Sequence, residues 1–349
     1  MFLDLEKAFD RVSHELIWQS LRAHAVPEVY VKCVQLLYKE VTSTVRCAAG
    51  NSPPFDINVG VHQGSALSPL LFILCMDTAT ADIQTGHPWT LMFADDVFLA
   101  KPNRQEAEQL TQTWKSRLDD YGMRLNIKKT EYLEFGDQTP GSIAVDGQQL
   151  NKVTEFKYLG SCITADGDTT FEARRRANAT WMKWRQTTGV MCDRKIPTRL
   201  KSKVYRTVIR PVALYGAECW PSTKKHEQEM NAMEMRMLRW SIRLTRLDRV
   251  TNVDVRKTLG VAPIQDKMKE ARLRWYGHVI RSEDDSVAKT ALVLSPDGKR
   301  PRGRPKKRWL DQIKEDMREA NVTKEDAMDR AKWRKQCRKA DPASKRDNT

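Results

Sequence analysis

Apolar residues recur along this chain with two different periods, and the change falls near residue 165. Before it, short strand-like runs alternate with helical ones. In SHELIWQSLRAH, Ser13 is placed to cap a helix whose apolar face carries Leu16, Ile17 and Leu21. A second helix is predicted from Pro27 to Lys39, with Val31, Val34, Leu37 and Tyr38 inward. TSTVRCAAG and FDINVGV read as a hairpin around NSPP. ALSPLLFILCMDTATADI reads as a buried helix opened by Ser68 and Pro69, and an exposed helix is expected over Gln105–Tyr121. TEYLEFG, SIAVDGQQL and FKYLGSCIT read as short strands, with Asp146-Gly147 a strong hairpin signal.

From Thr170 onward the pattern is almost entirely helical. FEARRRANATWMKWRQTTGV, TRLKSKVYRTVIRPVALYG and KHEQEMNAMEMRMLRWSIRL each place apolar residues at helical spacing with Lys and Arg between them. The stripe Met230, Met233, Met237 and Trp240 reads as core packing. A Pro/Gly/basic linker, PDGKRPRGRPKKRW, precedes a last amphipathic helix, WLDQIKEDMREANV. The fold class is therefore α+β, mixed up to about 165 and helical after it.

Charge divides at the same place. Residues 1–165 hold 15 basic and 20 acidic side chains, a net of −5, whereas the remainder holds 45 and 25, a net of +20. A basic half suggests a grip on a polyanion, while the acidic half holds cations or does chemistry; a lysine-rich solvated surface is the plainer alternative. The seven cysteines show no Cys-x-x-Cys and no His pairing, so a structural zinc site is not expected and most are read as small core thiols. The longest apolar run, Ala66–Met76, is too short for a bilayer and contains Pro69, and MFLDLEKAFD carries charge where a signal peptide needs an apolar core. The expected setting is intracellular, nuclear or cytoplasmic, not secreted and without a membrane.

One stretch resists the simple pattern. TLMFADDVFLA sets Asp95 and Asp96 side by side within a strand-like run. Buried, unpaired carboxylates are costly, so the pair must sit at a turn, meet basic partners or hold a metal. Asp-Asp lacks the glycine usual in a tight hairpin, so turn chemistry alone explains it poorly. Asp4, at the end of the short apolar run opening the chain, is a third carboxylate that could join them. Three such groups suit Mg²⁺, which takes hard oxygen ligands and keeps waters and substrate phosphates in its shell.

Taken together, the motifs resemble the reverse transcriptases of non-LTR, LINE-type retrotransposons, among them the RTE-like elements. FLDLEKAFDRV resembles polymerase motif A, which implies a metal-binding role for Asp4 and a steric gate against a 2′-hydroxyl for Phe9. VHQGSALSPLLF resembles motif B, implying nucleotide contacts for Gln63 and Gly64. FADDV resembles motif C, with Asp95 the second metal ligand and Asp96 its neighbour in the same site. GMRLNIKKTEYLEFG resembles motif D, placing Lys129 near the triphosphate, and FKYLGSCIT resembles the primer-grip hairpin. The resemblance implies a palm, an antiparallel sheet backed by helices, over 1–165, a helical thumb over 166–250 and a basic helical C-terminal region over 251–349.

It also implies the activity: RNA-directed DNA synthesis by deoxynucleotidyl transfer to a primer 3′-hydroxyl, with two Mg²⁺ ions, Mn²⁺ as a substitute, and RNA template, DNA primer or target DNA and deoxynucleoside triphosphates as partners. Only three residues precede Asp4, so the family's fingers and endonuclease are expected in a larger polyprotein, and this piece alone is expected to be impaired. A non-catalytic nucleic-acid-binding remnant is the alternative. PRGRPKK, inside the linker 299–308, matches an AT-hook pattern in which Arg302, Arg304, Lys306 and Lys307 would contact DNA, although a plain basic linker fits as well. Asp10 suits a helix-start or salt-bridge role and stays outside the expected site. Gln63 could also be a turn residue and Lys129 a solvated one, while His62 and His278 read as structural or surface residues.

Overall fold

Strand β1, Phe2–Leu3, is short, yet it lies at the middle of a five-stranded sheet. In the computed structural model, which describes residues 1–86, 89–136, 138, 140–294 and 307–342, its neighbours come from far along the chain. The other strands are β2 (Thr90–Phe93), β3 (Asp96–Leu99), β4 (Glu131–Tyr132) and β5 (Asn151–Lys152), in the order β5-β4-β1-β3-β2. Their pairings are antiparallel except β5 with β4, which is parallel. The expected all-antiparallel sheet is corrected at that edge.

Alternation sorts the strand residues. Leu3, Val97 and Leu99 are buried, so one face meets the helices, and Phe2, Asp96 and Phe98 belong to the other. Helices α1 (His14–Ala23), α2 (Glu28–Leu37), α3 (Ser68–Thr80) and α4 (Arg104–Asp120) belong to the same unit, Met1–Gly160. Its core joins Leu16 and Ile17 of α1, Phe72, Cys75 and Met76 of α3, and Trp114 and Leu118 of α4 to the sheet. Ser13 caps α1 as its sequence foretold, accepting from the Leu16 N–H.

Local details depart from expectation. Leu37 is 59% exposed where α2 ends, while Tyr38 is buried as expected. In the hairpin over residues 42–56, Arg46–Cys47 pairs with Gly50–Asn51, so the turn is at Ala48-Ala49 and NSPP follows it. Asp146 and Gly147 do form a hairpin turn, both with positive φ. Of the cysteines only Cys75 and Cys337 are buried; Cys33, Cys47 and Cys219 are exposed, so most are not core residues.

Among its described residues the second unit, Ser161–Thr349, is helical beyond one opening strand, Ser161–Thr164. A first cluster packs α5 (Thr170–Met191) and α6 (Lys224–Ser241) through Trp184, Met230, Met233 and Met237, and runs on to Met268. Trp240 does not share that burial: it is 57% exposed. A second cluster joins α7 (Ile264–Arg281), α8 (Trp309–Ala320) and α9 (Arg330–Cys337) through Leu273, Tyr276, Ile313 and Trp333. Gly277 makes room for the Trp333 indole, which a Cβ there would strike. Among the described residues no helix is long and apolar enough to cross a membrane.

Candidate active site

The register of β1 on β3 decides where the first carboxylate falls. Phe2 pairs with Phe98 and Leu3 with Val97, and the Leu99 N–H donates to the Met1 carbonyl at 2.9 Å. Asp4 follows directly on the end of β1, and that register continued by one residue leads it toward Asp96 on the same face. The β2–β3 hairpin closes with Phe93 paired to Asp96, leaving Ala94 and Asp95 as its two-residue turn. Ala94 takes φ +55°, a left-handed value uncommon for a residue with a Cβ. The hairpin tip therefore carries Asp95, and the first strand residue beyond it is Asp96. Phe93 is 63% exposed beside them.

Electrostatics tie the three together. The Asp4 carboxyl is raised above its ordinary value by burial first and also by the Asp95 charge, against the lowering effect of Lys129 and of a hydrogen bond from Asn126. Asp96 is raised by burial, then by Asp95 and by Asp4. These carboxylates thus repel one another across a half-buried strand end, a state that a bound cation would relieve. All the donors are hard oxygens, which suits Mg²⁺ better than softer metals. Among the described residues no three His, Cys, Asp or Glu side chains form a ready metal-binding group. The set is partial, of the kind Mg²⁺ accepts because water and substrate phosphate fill the rest of its shell.

The nucleotide-side residues gather around the next turn of chain. Phe9 stacks on Phe72, centroids 4.6 Å apart at 14°, and Phe72 is fully buried, so the Phe9 ring has a fixed seat. The loop before α3 crosses the same segment: the Gly60 N–H donates to the Val12 carbonyl at 2.7 Å and that of Val61 to Phe9 at 2.8 Å. Gly60 has φ +86°, and a Cβ there would meet the Asp10 backbone at 3.0 Å. Gln63 then donates from Nε2 to Asp10 Oδ1 at 2.6 Å. Gly64 takes φ +90° with open space around it. Ser68 holds the loop to α3 by donating to the His62 carbonyl at 2.6 Å, and His62 stacks on Tyr38. Lys129 is exposed, and its charge acts on Asp4.

Three contributors lie beyond the expected site residues, among them Asp10, which the sequence places outside the site. Asp10 holds Gln63, Asn126 donates to Asp4, and the Tyr158 hydroxyl is raised by burial and then by the Asp96 charge. Tyr158 packs with Phe2 and Phe98. Its aromatic alternation in FKY was a signal; the carboxylate it faces was not visible. Of the hook residues, Arg302, Arg304 and Lys306 lie outside the described residues, whereas Lys307 pairs with Glu315 at 2.5 Å. His278 is exposed against Trp275.

Comparison with known proteins adds a family match over part of the chain. Residues 1–163 match the family described as reverse transcriptase (RNA-dependent DNA polymerase). The RNA-directed DNA polymerase of the mobile element jockey from Drosophila melanogaster is 25% identical over 341 residues, 88% of this chain and 35% of that protein. The Pol polyprotein of the type-2 retrotransposable element R2DM, from the same fly, is 32% identical over 184 residues, 47% of this chain and 17% of its own length. A transposon-derived protein of Caenorhabditis elegans is 26% identical over 239 residues, 65% of this chain and 84% of that one. The chain thus spans about a third or less of the two polymerases. A solved telomerase from Candida albicans aligns over 85% of this chain and 51% of its own at 12% identity and a TM-score of 0.35, too slight to carry an argument.

Proposed function

We propose, from the premise that residues 1–163 match the reverse transcriptases and resemble those of non-LTR retrotransposons, that this chain supplies the catalytic part of an enzyme of RNA-templated DNA synthesis, with activity impaired in this piece alone. The observation that supports this reading most is the β1–β3 register, which leads Asp4 toward Asp96 beside Asp95 at the adjoining turn, with the Asp95 charge acting on both Asp4 and Asp96. Asp4, Asp95 and Asp96 would hold two Mg²⁺ ions, or Mn²⁺ in their place. Bound there, the ions would activate a primer 3′-hydroxyl and carry the charge of the departing pyrophosphate.

The remaining side chains bind and orient. Phe9, seated on Phe72, presents a rigid ring that a 2′-hydroxyl would strike, which selects deoxynucleotides. Gln63, steadied by Asp10, lines the incoming nucleotide, and Gly64 lets it approach the backbone. Lys129 offsets charge beside Asp4 and is available to a triphosphate. On this reading Met1–Gly160 is the palm, and the basic residues after 165 supply phosphate contacts to the RNA template and DNA primer as thumb and C-terminal region.

The test is extension of a labelled primer on an RNA template with deoxynucleoside triphosphates and Mg²⁺, comparing the chain with Asp95→Asn. Template-dependent extension that disappears in Asp95→Asn supports the reading; extension that survives the substitution overturns it. A second reading, nucleic-acid binding without synthesis, draws on the lack of a ready three-ligand metal group among the described residues. It predicts salt-sensitive binding of the primer-template with no extension by either protein.

A further inference from the structure

Arg330, Arg334 and Arg338 recur at every fourth position along α9 and its C-terminal cap, so they share one face at intervals of about 6 Å. All three are exposed, and among the described residues none has a carboxylate partner. Like charges at this spacing weaken a helix rather than support it. The neighbouring cation is treated differently: Lys332 pairs with Asp326 at 2.6 Å.

The stripe borders a cleft against α7. A hollow of about 670 Å³ is lined by Arg274, Trp275, His278 and Arg281 from α7, by Arg330 and Arg334 from α9, and by one acid, Glu218. An adjoining hollow, sharing Arg274, Arg330 and Arg334, extends it past Arg338. Two acids line the hollows: Glu218 in the first, and Glu270 in the second, where it is engaged by Lys267 at 2.5 Å, by the Lys339 N–H at 3.1 Å and by Arg274 at 3.7 Å. Toward the other end, the rings of Trp275 and His278 lie 5.2 Å apart at 33°. Arginines outnumber the two acids along the cleft, and one end is aromatic.

We infer that this cleft binds an unpaired nucleic-acid strand, the arginines taking successive phosphates and Trp275 with His278 taking a base. Guanidinium forks match phosphate oxygens in pairs, and an aromatic face beside a cationic track fits a strand whose bases are free to stack. A duplex hides those base faces, and an acidic peptide would leave the two rings without a role. The site is built from the second unit alone, so it stands whether or not the carboxylates of the first unit polymerise.

The experiment measures fluorescence anisotropy of a labelled oligothymidylate, and of a duplex of equal length, with the full chain over a range of KCl. Arg330→Gln/Arg334→Gln/Arg338→Gln should reduce the slope of log K against log salt by about 2, three single-strand phosphates at roughly 0.7 each. A control of equal charge loss, Lys224→Gln/Lys225→Gln/Lys257→Gln, should move it by less than half of that. Trp275→Ala should weaken the single strand about five- to hundredfold and leave the duplex unchanged. His278→Ala, at an exposed position that the fold does not need, should act in the same direction. Equal effects of the two triple variants, or ring substitutions that spare the single strand or weaken both nucleic acids alike, would overturn the inference. So would polyglutamate binding as tightly as the strand and failing with the arginine variant, which would assign the cleft to an acidic protein.

Discussion

The Nε2 of Gln63 donates to the Oδ1 of Asp10 at 2.6 Å, across 53 positions of sequence. The loop before α3 is thereby tied to the segment that follows Asp4 and Phe9. If Gln63 meets the incoming nucleotide only while Asp10 holds it, Gln63→Ala and Asp10→Ala should each raise the nucleotide KM roughly tenfold, and the double variant should resemble either single. Steady-state primer extension measures this. Multiplying effects would show that the two residues act apart.

Phe9 and Phe72 make a second testable pair. Phe9→Val should lower discrimination against ribonucleotides by on the order of tenfold or more, because the excluding ring is gone. Phe72→Leu should act in the same direction by unseating Phe9, with a smaller effect. Phe72→Ala should instead cost about 3–5 kcal/mol of stability, as a fully buried ring is lost. Competition between ribo- and deoxynucleotides, read with urea unfolding, separates the two outcomes.

Legibility in the sequence followed locality. Ser13 over Leu16, Ser68-Pro69 opening α3 and the Asp146-Gly147 turn are decided within a few residues, and each forms as read. Leu37 and Trp240 fit their helical stripes, yet both are exposed, because periodicity marks a face and not where a helix ends or what covers it. The hairpin turn moved from NSPP to Ala48-Ala49 because strand register outweighed the proline signal. Asp4, Asp95 and Asp96 are legible from their motifs, whereas Asp10 reads only as a helix-start or salt-bridge residue and Asn126 and Tyr158 do not stand out, since their partners come from other elements. The parallel pairing of β5 with β4 was hidden for the same reason.

Glu134 sets a pH dependence. Burial would raise its carboxyl, but hydrogen bonds from Lys152 and Arg104 outweigh that and hold it at about 2. The folded value lies below the unfolded one, so this group's stabilisation is complete above about pH 4.5 and is lost as pH falls toward 2. Glu134→Gln should therefore lower the melting temperature at pH 7 and lose most of that difference near pH 2.5. Thermal melts across this range measure it; a difference that grows on acidification would contradict the assignment.

The second unit holds a fully buried ion pair. Arg272 donates to Asp316 at 2.6 and 3.1 Å and to the Ser222 hydroxyl at 2.9 Å, and both side chains of the pair are 0% exposed. Asp316→Ala should destabilise the unit by about 3 kcal/mol, since it leaves the buried guanidinium only the Ser222 hydroxyl and Glu227 at 3.7 Å. Arg272→Met with Asp316→Leu should recover most of the loss. Chemical denaturation of both variants tests this, and a single substitution costing under about 1 kcal/mol would show that the site is hydrated.

The most direct test of the account is metal binding by the carboxylates themselves. Titrating Mn²⁺ into the nucleic-acid-free chain and following the free-ion signal by electron paramagnetic resonance reports it without turnover. The account predicts saturable binding that weakens by about tenfold or more in Asp4→Asn and in Asp95→Asn, with both variants folded. Unchanged stoichiometry and affinity in both variants would contradict it.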